Sequence, residues 1–127
     1  MQNENQIEKS QSRKLSNRLL DLAVEVIKVI QIINKSYVGR QISGQLIRAS
    51  TSAGANYEEA CGAESRSDFI HKLQLVLKEL RESAYWLKLI TKANLLPYEK
   101  GELFIREVQE LSNIIAKSVI TAKKNRE

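Results

Sequence analysis

A chain of 127 residues accommodates one hydrophobic core but not two. Its 43% apolar content is too high for a disordered chain, and 5 Gly and 1 Pro among abundant Leu, Ile, Lys and Glu exclude an all-β or doubly wound α/β fold. A net charge of +5 and a pI near 9.4 permit attraction to nucleic acid or another anionic surface, yet the charge is spread along the chain rather than gathered in one segment.

The lone Cys61 forbids an intramolecular disulfide and a multi-cysteine metal site. With no secretory opening in the sequence, a reducing, cytoplasmic setting is expected. No apolar run approaches the roughly 20 residues that span a bilayer, so no membrane partner is expected.

Residues 1–12 are polar apart from Ile7 and read as a flexible N-terminal tail ahead of a single domain over 13–127. From Leu15, the series Leu15, Leu19, Leu22, Val26, Val29, Ile33 alternates steps of four and three, the period of a helix packed at a shallow angle on its neighbours. A second series, Ala23, Ile27, Ile30, Tyr37, widens the apolar stripe beyond what one seam needs. Gly39 is expected to end this helix. A second helix, near Arg40 to Ala60, carries Ile42, Leu46, Ala49, Ala53 and an unusually small middle, Ala49 to Ala55, which reads first as tight helix packing. Gly62 supplies its stop.

Ser65, with Asp68 three residues later, marks the N-cap of a third helix. Phe69, Leu73, Val76, Leu80, Ser83, Leu87, Ile90 carry that helix to about Lys92. After the connection at Asn94 to Pro97, Phe104, Val108, Leu111, Ile115, Ser118, Ala122 define a fourth helix ending in basic residues. Long helices joined by short loops run antiparallel to their sequence neighbours, which gives an all-α, up-down-up-down four-helix bundle.

Polar residues within the second helix are the principal anomaly. Arg48, Ser52, Asn56 and Glu59 step by four, four and three and so share one face, as do Glu79, Glu82 and Trp86 on the third helix. If those faces meet, Arg48 is expected to pair with Glu79 or Glu82 in a largely buried polar cluster near Asn56. Tyr85 and Trp86 are adjacent and cannot both face one core, so one of them meets solvent or another subunit.

The segments QLIRASTSAGANYEEA (Gln45 to Ala60) and SRSDFIHKLQLVLKELRESAYWLKLI (Ser65 to Ile90) resemble the four-helix-bundle family encoded in intervening sequences of bacterial 23S rRNA genes, also described as S23 ribosomal protein-like. The resemblance rests on the Arg48, Ser52, Asn56, Glu59 series, on Ser67-Asp68-Phe69 and on the Glu79 to Trp86 stretch; the first and fourth helices share only its pattern. It departs at Glu58-Glu59-Ala60-Cys61, where the glycine that often follows the family's helix-two glutamate is delayed to Gly62. What it implies is a bundle without a settled biochemical role. Similarity to a related bundle, the accessory protein of diversity-generating retroelements, implies a homopentameric ring that binds nucleic acid.

Catalysis finds little footing. A di-iron bundle needs carboxylates on several helices and two Glu-x-x-His pairs, and this chain has 1 His. Arg66 and His71 resemble the short Arg-to-His motif of HEPN-type ribonucleases, where such a pair stabilises a phosphorane and moves protons, but a loop arginine beside a solvated histidine explains them more simply. The expectation is therefore a non-enzymatic, self-assembling protein with no cofactor, metal site or small-molecule substrate. RNA or DNA would be bound without sequence preference through Lys72, Lys88, Lys92, Lys117, Lys123, Lys124 and Arg126, because no helix concentrates base-reading side chains. A purely protein-binding module is the remaining alternative.

Overall fold

The computed structural model describes residues 4–126, which form four helices: α1 (Glu4–Ile33), α2 (Tyr37–Cys61), α3 (Arg66–Lys92) and α4 (Tyr98–Arg126). Successive helices run antiparallel and make nearly all the close backbone approaches, so the order around the bundle follows the chain. The expected up-down-up-down bundle is the observed architecture. Its core is drawn from the expected series: Leu19, Leu22, Val26 and Val29 on α1 meet Leu46 and Ala53 on α2, Leu73, Val76, Leu80 and Leu87 on α3, and Val108, Leu111 and Ile115 on α4. No described helix is long and apolar enough to cross a membrane.

The connections show how the sequence sets the helix ends. α1 stops at Ile33, before Gly39, which lies inside the first turn of α2. Ser36 is the cap: its hydroxyl accepts a hydrogen bond from the Gly39 N–H at 3.0 Å. Gly39 is required by close approach, because a Cβ there would sit 1.7 Å from the Ile33 carbonyl oxygen. It is thus a spacer in the α1–α2 corner, and the expected break at Gly39 falls earlier. Tyr37, placed by periodicity on α1, belongs to α2 and is exposed.

The end of α2 and the start of α3 follow expectation more closely. α2 runs to Cys61, and the Gly62 N–H bonds back to the Glu59 carbonyl. Ser65 then accepts from the Asp68 N–H at 3.0 Å, the cap read from the sequence. α3 ends at Lys92, and Asn94 takes a left-handed φ of 62°. The Asn94 N–H bonds the Thr91 carbonyl and the Leu95 N–H that of Ile90, a Schellman closure in which asparagine stands where glycine is usual.

Residues 4–12, expected to lie in a flexible tail, are helical and continue α1. Ser12, the last of them, is bonded by the Tyr57 hydroxyl at 3.3 Å and lies 3.1 Å from the Cys61 sulfur. Residues 1–3 lie outside the described residues.

Candidate nucleic-acid interface

The α2–α3 seam carries the polar ladder. Arg48 bonds Glu79 at 3.1 Å and also Glu82, and Glu82 accepts the Trp86 indole N–H at 3.1 Å. Two residues before the helix end, Glu59 meets Lys72 at 3.5 Å. Between these rungs, the Asn56 amide donates to the Ser52 carbonyl and hydroxyl. The faces therefore meet in the expected register, with Arg48 on both glutamates rather than one.

The expected burial does not hold. The Arg48 side chain is 48% exposed, while Glu79 beneath it is buried, so the cluster is a surface clasp over a covered carboxylate. Ala49 and Ala53, on the core side of α2, are fully buried, and the ladder runs along the helix beside them. The indole N–H of Trp86, then the Arg48 guanidinium, hold the Glu82 carboxyl below the usual carboxylate range. Glu82, in turn, raises the pKa of Arg48. Within the small stripe Ala49 and Ala53 are packed into the core, while a Cβ on Gly54 would meet Leu19 on α1 at an ordinary 3.8 Å, so packing does not require glycine there.

The α1–α4 side is built differently. Arg18 reaches across to Glu107 at 2.5 Å and Glu110 at 3.3 Å, a fork that the sequence reading missed because the partners lie on the first and last helices. Glu107 raises the Arg18 pKa further by its hydrogen bond and charge. Toward the end where α1 and α3 begin, the two helices leave an open cleft of about 660 Å³. The α2–α3 turn floors it.

Three layers line this cleft. Leu15, Phe69 and Ile114 give an apolar bed, and Ser118, Thr121 and Asn125 offer hydrogen-bonding groups from α4. Lys9, Arg66 and Lys117 supply positive charge. None of these three cations has an ion pair among the described residues, and no carboxylate stands among the described lining residues. At the back, Tyr57 is buried, and that burial pushes its phenol up to about 12, so it stays a hydrogen-bond donor at any ordinary pH.

The expected phosphate contacts divide between the two ends of the molecule. Lys117 lines the cleft, and Lys123 and Lys124 are exposed on the same end of α4. Lys88 and Lys92 are exposed near the opposite end of α3, about 30 Å away along the helix from its first turns at 1.5 Å per residue. Lys72 is half-buried and already paired with Glu59. The Arg126 side chain lies outside the described residues. Lys9 and Arg66 were not among the expected contacts. Their signal was a polar N-terminal segment and a turn, neither of which has an apolar period to place it.

Tyr85 is 60% exposed, and Trp86 is half-buried with its ring edge-on to Tyr85 at 5.1 Å, so the pair divides between solvent and seam. Arg66 and His71, five positions apart on α3, are about 140° apart around the helix, and both are exposed. That spacing turns them to different faces and brings no general-acid partner to Arg66. No group of three metal-ligating side chains gathers among the described residues.

Outside the core, α1 presents Leu20, Val24 and Ile27 to solvent, at 63%, 43% and 48% exposure. Their steps of four and three place them on one face, opposite the buried stripe. Of the second series read in the sequence, only Ile27 lies on this face: Ile30 packs against the core and Tyr37 belongs to α2.

Comparison with known proteins fits this picture. The family model for the 23S rRNA-intervening sequence protein matches residues 8–117. The crystal structure of a protein with unknown function from the S23 ribosomal protein family of Bacteroides thetaiotaomicron is similar, with a TM-score of 0.76 and 31% identity over 83% of this chain and 97% of that one. No curated protein gives a match. The match over most of its length, on the same four-helix frame, means that the chain belongs to the 23S rRNA-intervening sequence protein family.

Proposed function

We propose that this protein is a non-enzymatic assembly module that holds RNA or DNA by its phosphates at the cleft end of the bundle. The observation that carries the reading is the set of unpaired cations, Lys9, Arg66 and Lys117, around a cleft without a described carboxylate. Lys123 and Lys124 extend this positive end along α4. Contacts of this kind read charge and not sequence.

Self-association supplies the rest of the affinity. A monomer with +5 spread over its surface attracts nucleic acid weakly, whereas a closed assembly repeats each cationic end once per subunit and lets weak contacts act together. The outward Leu20, Val24, Ile27 face is the surface on which copies would join, since it is apolar, continuous and unused in the single chain. A five-membered ring is the closed form that the family resemblance implies.

Two measurements test the reading. In sedimentation velocity, the wild type should run well above its 14.5 kDa chain mass and Leu20→Glu/Ile27→Glu should run as the monomer; a wild-type monomer at micromolar concentration removes the assembly half. In fluorescence anisotropy with labelled RNA or duplex DNA, affinity should fall by about 0.9 log unit per log unit of salt for each duplex phosphate neutralised, and Lys117→Glu/Lys123→Glu/Lys124→Glu should weaken it further. Absence of binding at about 50 mM salt, or indifference to salt and charge reversal, removes the nucleic-acid half.

A further inference from the structure

We propose that the cleft between α1 and α4 receives an unpaired nucleotide of a single strand, with its base on the Phe69 ring and its phosphates among Lys9, Arg66 and Lys117. This rests on the reading of nucleic-acid binding given above and adds a preference for single strands.

The cleft offers more than charge. Phosphate attraction needs only cations on a convex surface, as at Lys123 and Lys124. This site instead sets an aromatic ring and two aliphatic side chains beneath its cations, and lines one wall with Ser118, Thr121 and Asn125. An aromatic face, a cationic rim and neutral donors and acceptors are the three components that hold a splayed-out nucleotide: stacking, backbone neutralisation and contacts to the base edge. A cleft of about 660 Å³ lies within the roughly 300–1,000 Å³ range of small-ligand sites and takes a nucleotide or two, while a duplex could touch only its rim. Its open form lets the strand enter and leave on either side.

The geometry of the bundle keeps the site available. α1 overshoots the α2–α3 turn, so its residues 9–15 face the last three turns of α4 across a gap that neither α2 nor α3 fills. The Arg18 fork to Glu107 and Glu110 ties the two walls together below the gap, and the buried Tyr57 hydroxyl on Ser12 fixes the α1 wall from behind. A second copy of the chain suits the cleft less well. It carries the same positive net charge, and seating it there would bury three unpaired cations against it.

The test compares a labelled oligothymidylate with a labelled duplex carrying the same number of phosphates. Thr121 is exposed on the cleft wall, so Thr121→Trp fills the space without altering charge or core. It should weaken the single strand about tenfold and leave the duplex unchanged, with the melting temperature and sedimentation coefficient of the wild type. Phe69→Leu, which keeps an apolar bed but removes the ring, should weaken the single strand by a smaller factor in the same direction. Undiminished single-strand binding by Thr121→Trp, or equal loss for both probes, overturns the cleft while leaving phosphate binding in place. Dissociation of the assembly by Thr121→Trp also overturns it, because the cleft is then a subunit contact. Failure of the wild type to bind either probe overturns both this inference and the nucleic-acid reading beneath it.

Discussion

The two side walls of the bundle put similar residues to opposite uses. The α2–α3 wall is closed: the polar groups along it are consumed by one another, Arg48 by Glu79 and Glu82, Lys72 by Glu59, Trp86 by Glu82. The α1–α4 wall is tied at one level by Arg18 and then opens, and its cations carry no partner among the described residues. Charges that satisfy each other inside a chain are a device of register, while charges left unsatisfied beside a cleft are free to meet something else. Composition gives both walls similar residues; only their pairing tells them apart.

Substitutions that alter one wall or corner at a time can break the comparison. The largest effect is expected at the α1–α2 corner. Gly39→Ala drives a Cβ into the Ile33 carbonyl oxygen, which is backbone and cannot swing aside, and should cost about 3 kcal/mol in denaturant unfolding despite the better helix propensity of alanine. A wild-type midpoint would mean that the corner is looser than described. Next comes the contrast in packing. Ala53→Leu adds volume at a fully buried position and should cost about 1–3 kcal/mol, whereas Ser118→Leu in the cleft should stay within about 0.5 kcal/mol of the wild type. Equal costs would erase the distinction between a filled wall and an open one.

A gain of stability is expected where neither wall is involved. Gly44 is an exposed position in α2 with nothing within 4 Å of where a Cβ would sit, so Gly44→Ala should stabilise by roughly 0.5–1 kcal/mol through helix propensity alone. The smallest effect concerns pH. The Glu82 carboxyl is held low in the folded chain by Trp86 and Arg48, so its contribution is present above the ordinary glutamate value of about 4.3 and is lost as pH falls through the lower folded value. Between about pH 5 and pH 3 the melting temperature of the wild type should therefore fall slightly more steeply than that of Glu82→Gln. Parallel curves would mean that the clasp contributes nothing, a fate common to exposed ion pairs.

Much of the frame was legible in the sequence because it depends on local chemistry. The Ser65 cap, the end of α3 at Lys92 and the meeting of Arg48 with Glu79 and Glu82 follow from capping rules and helical spacing alone. Gly39 was misread because a glycine that ends a helix and one that lets the next helix begin against a carbonyl look alike in one dimension. The burial expected for Arg48 fails because a shared face does not give depth: Glu79 is covered while the guanidinium above it stays at the surface. Ser12 reads as part of a tail because its contacts are polar and lie 45 and 49 positions away, at Tyr57 and Cys61. The cleft could not be read at all, since it is a gap between the first and last helices, and periodicity describes what helices bury and not where they part.

The most direct test of the account is hydrogen–deuterium exchange of the full chain with and without a saturating oligothymidylate. The two-wall account predicts new protection in α1 around residues 9–15, at the α2–α3 turn and in α4 over 114–125, with none along the Arg48, Glu79, Glu82 seam or near Lys88 and Lys92. Protection that appears on the closed seam or at the Lys88 end, while the cleft segments exchange as before, would contradict it.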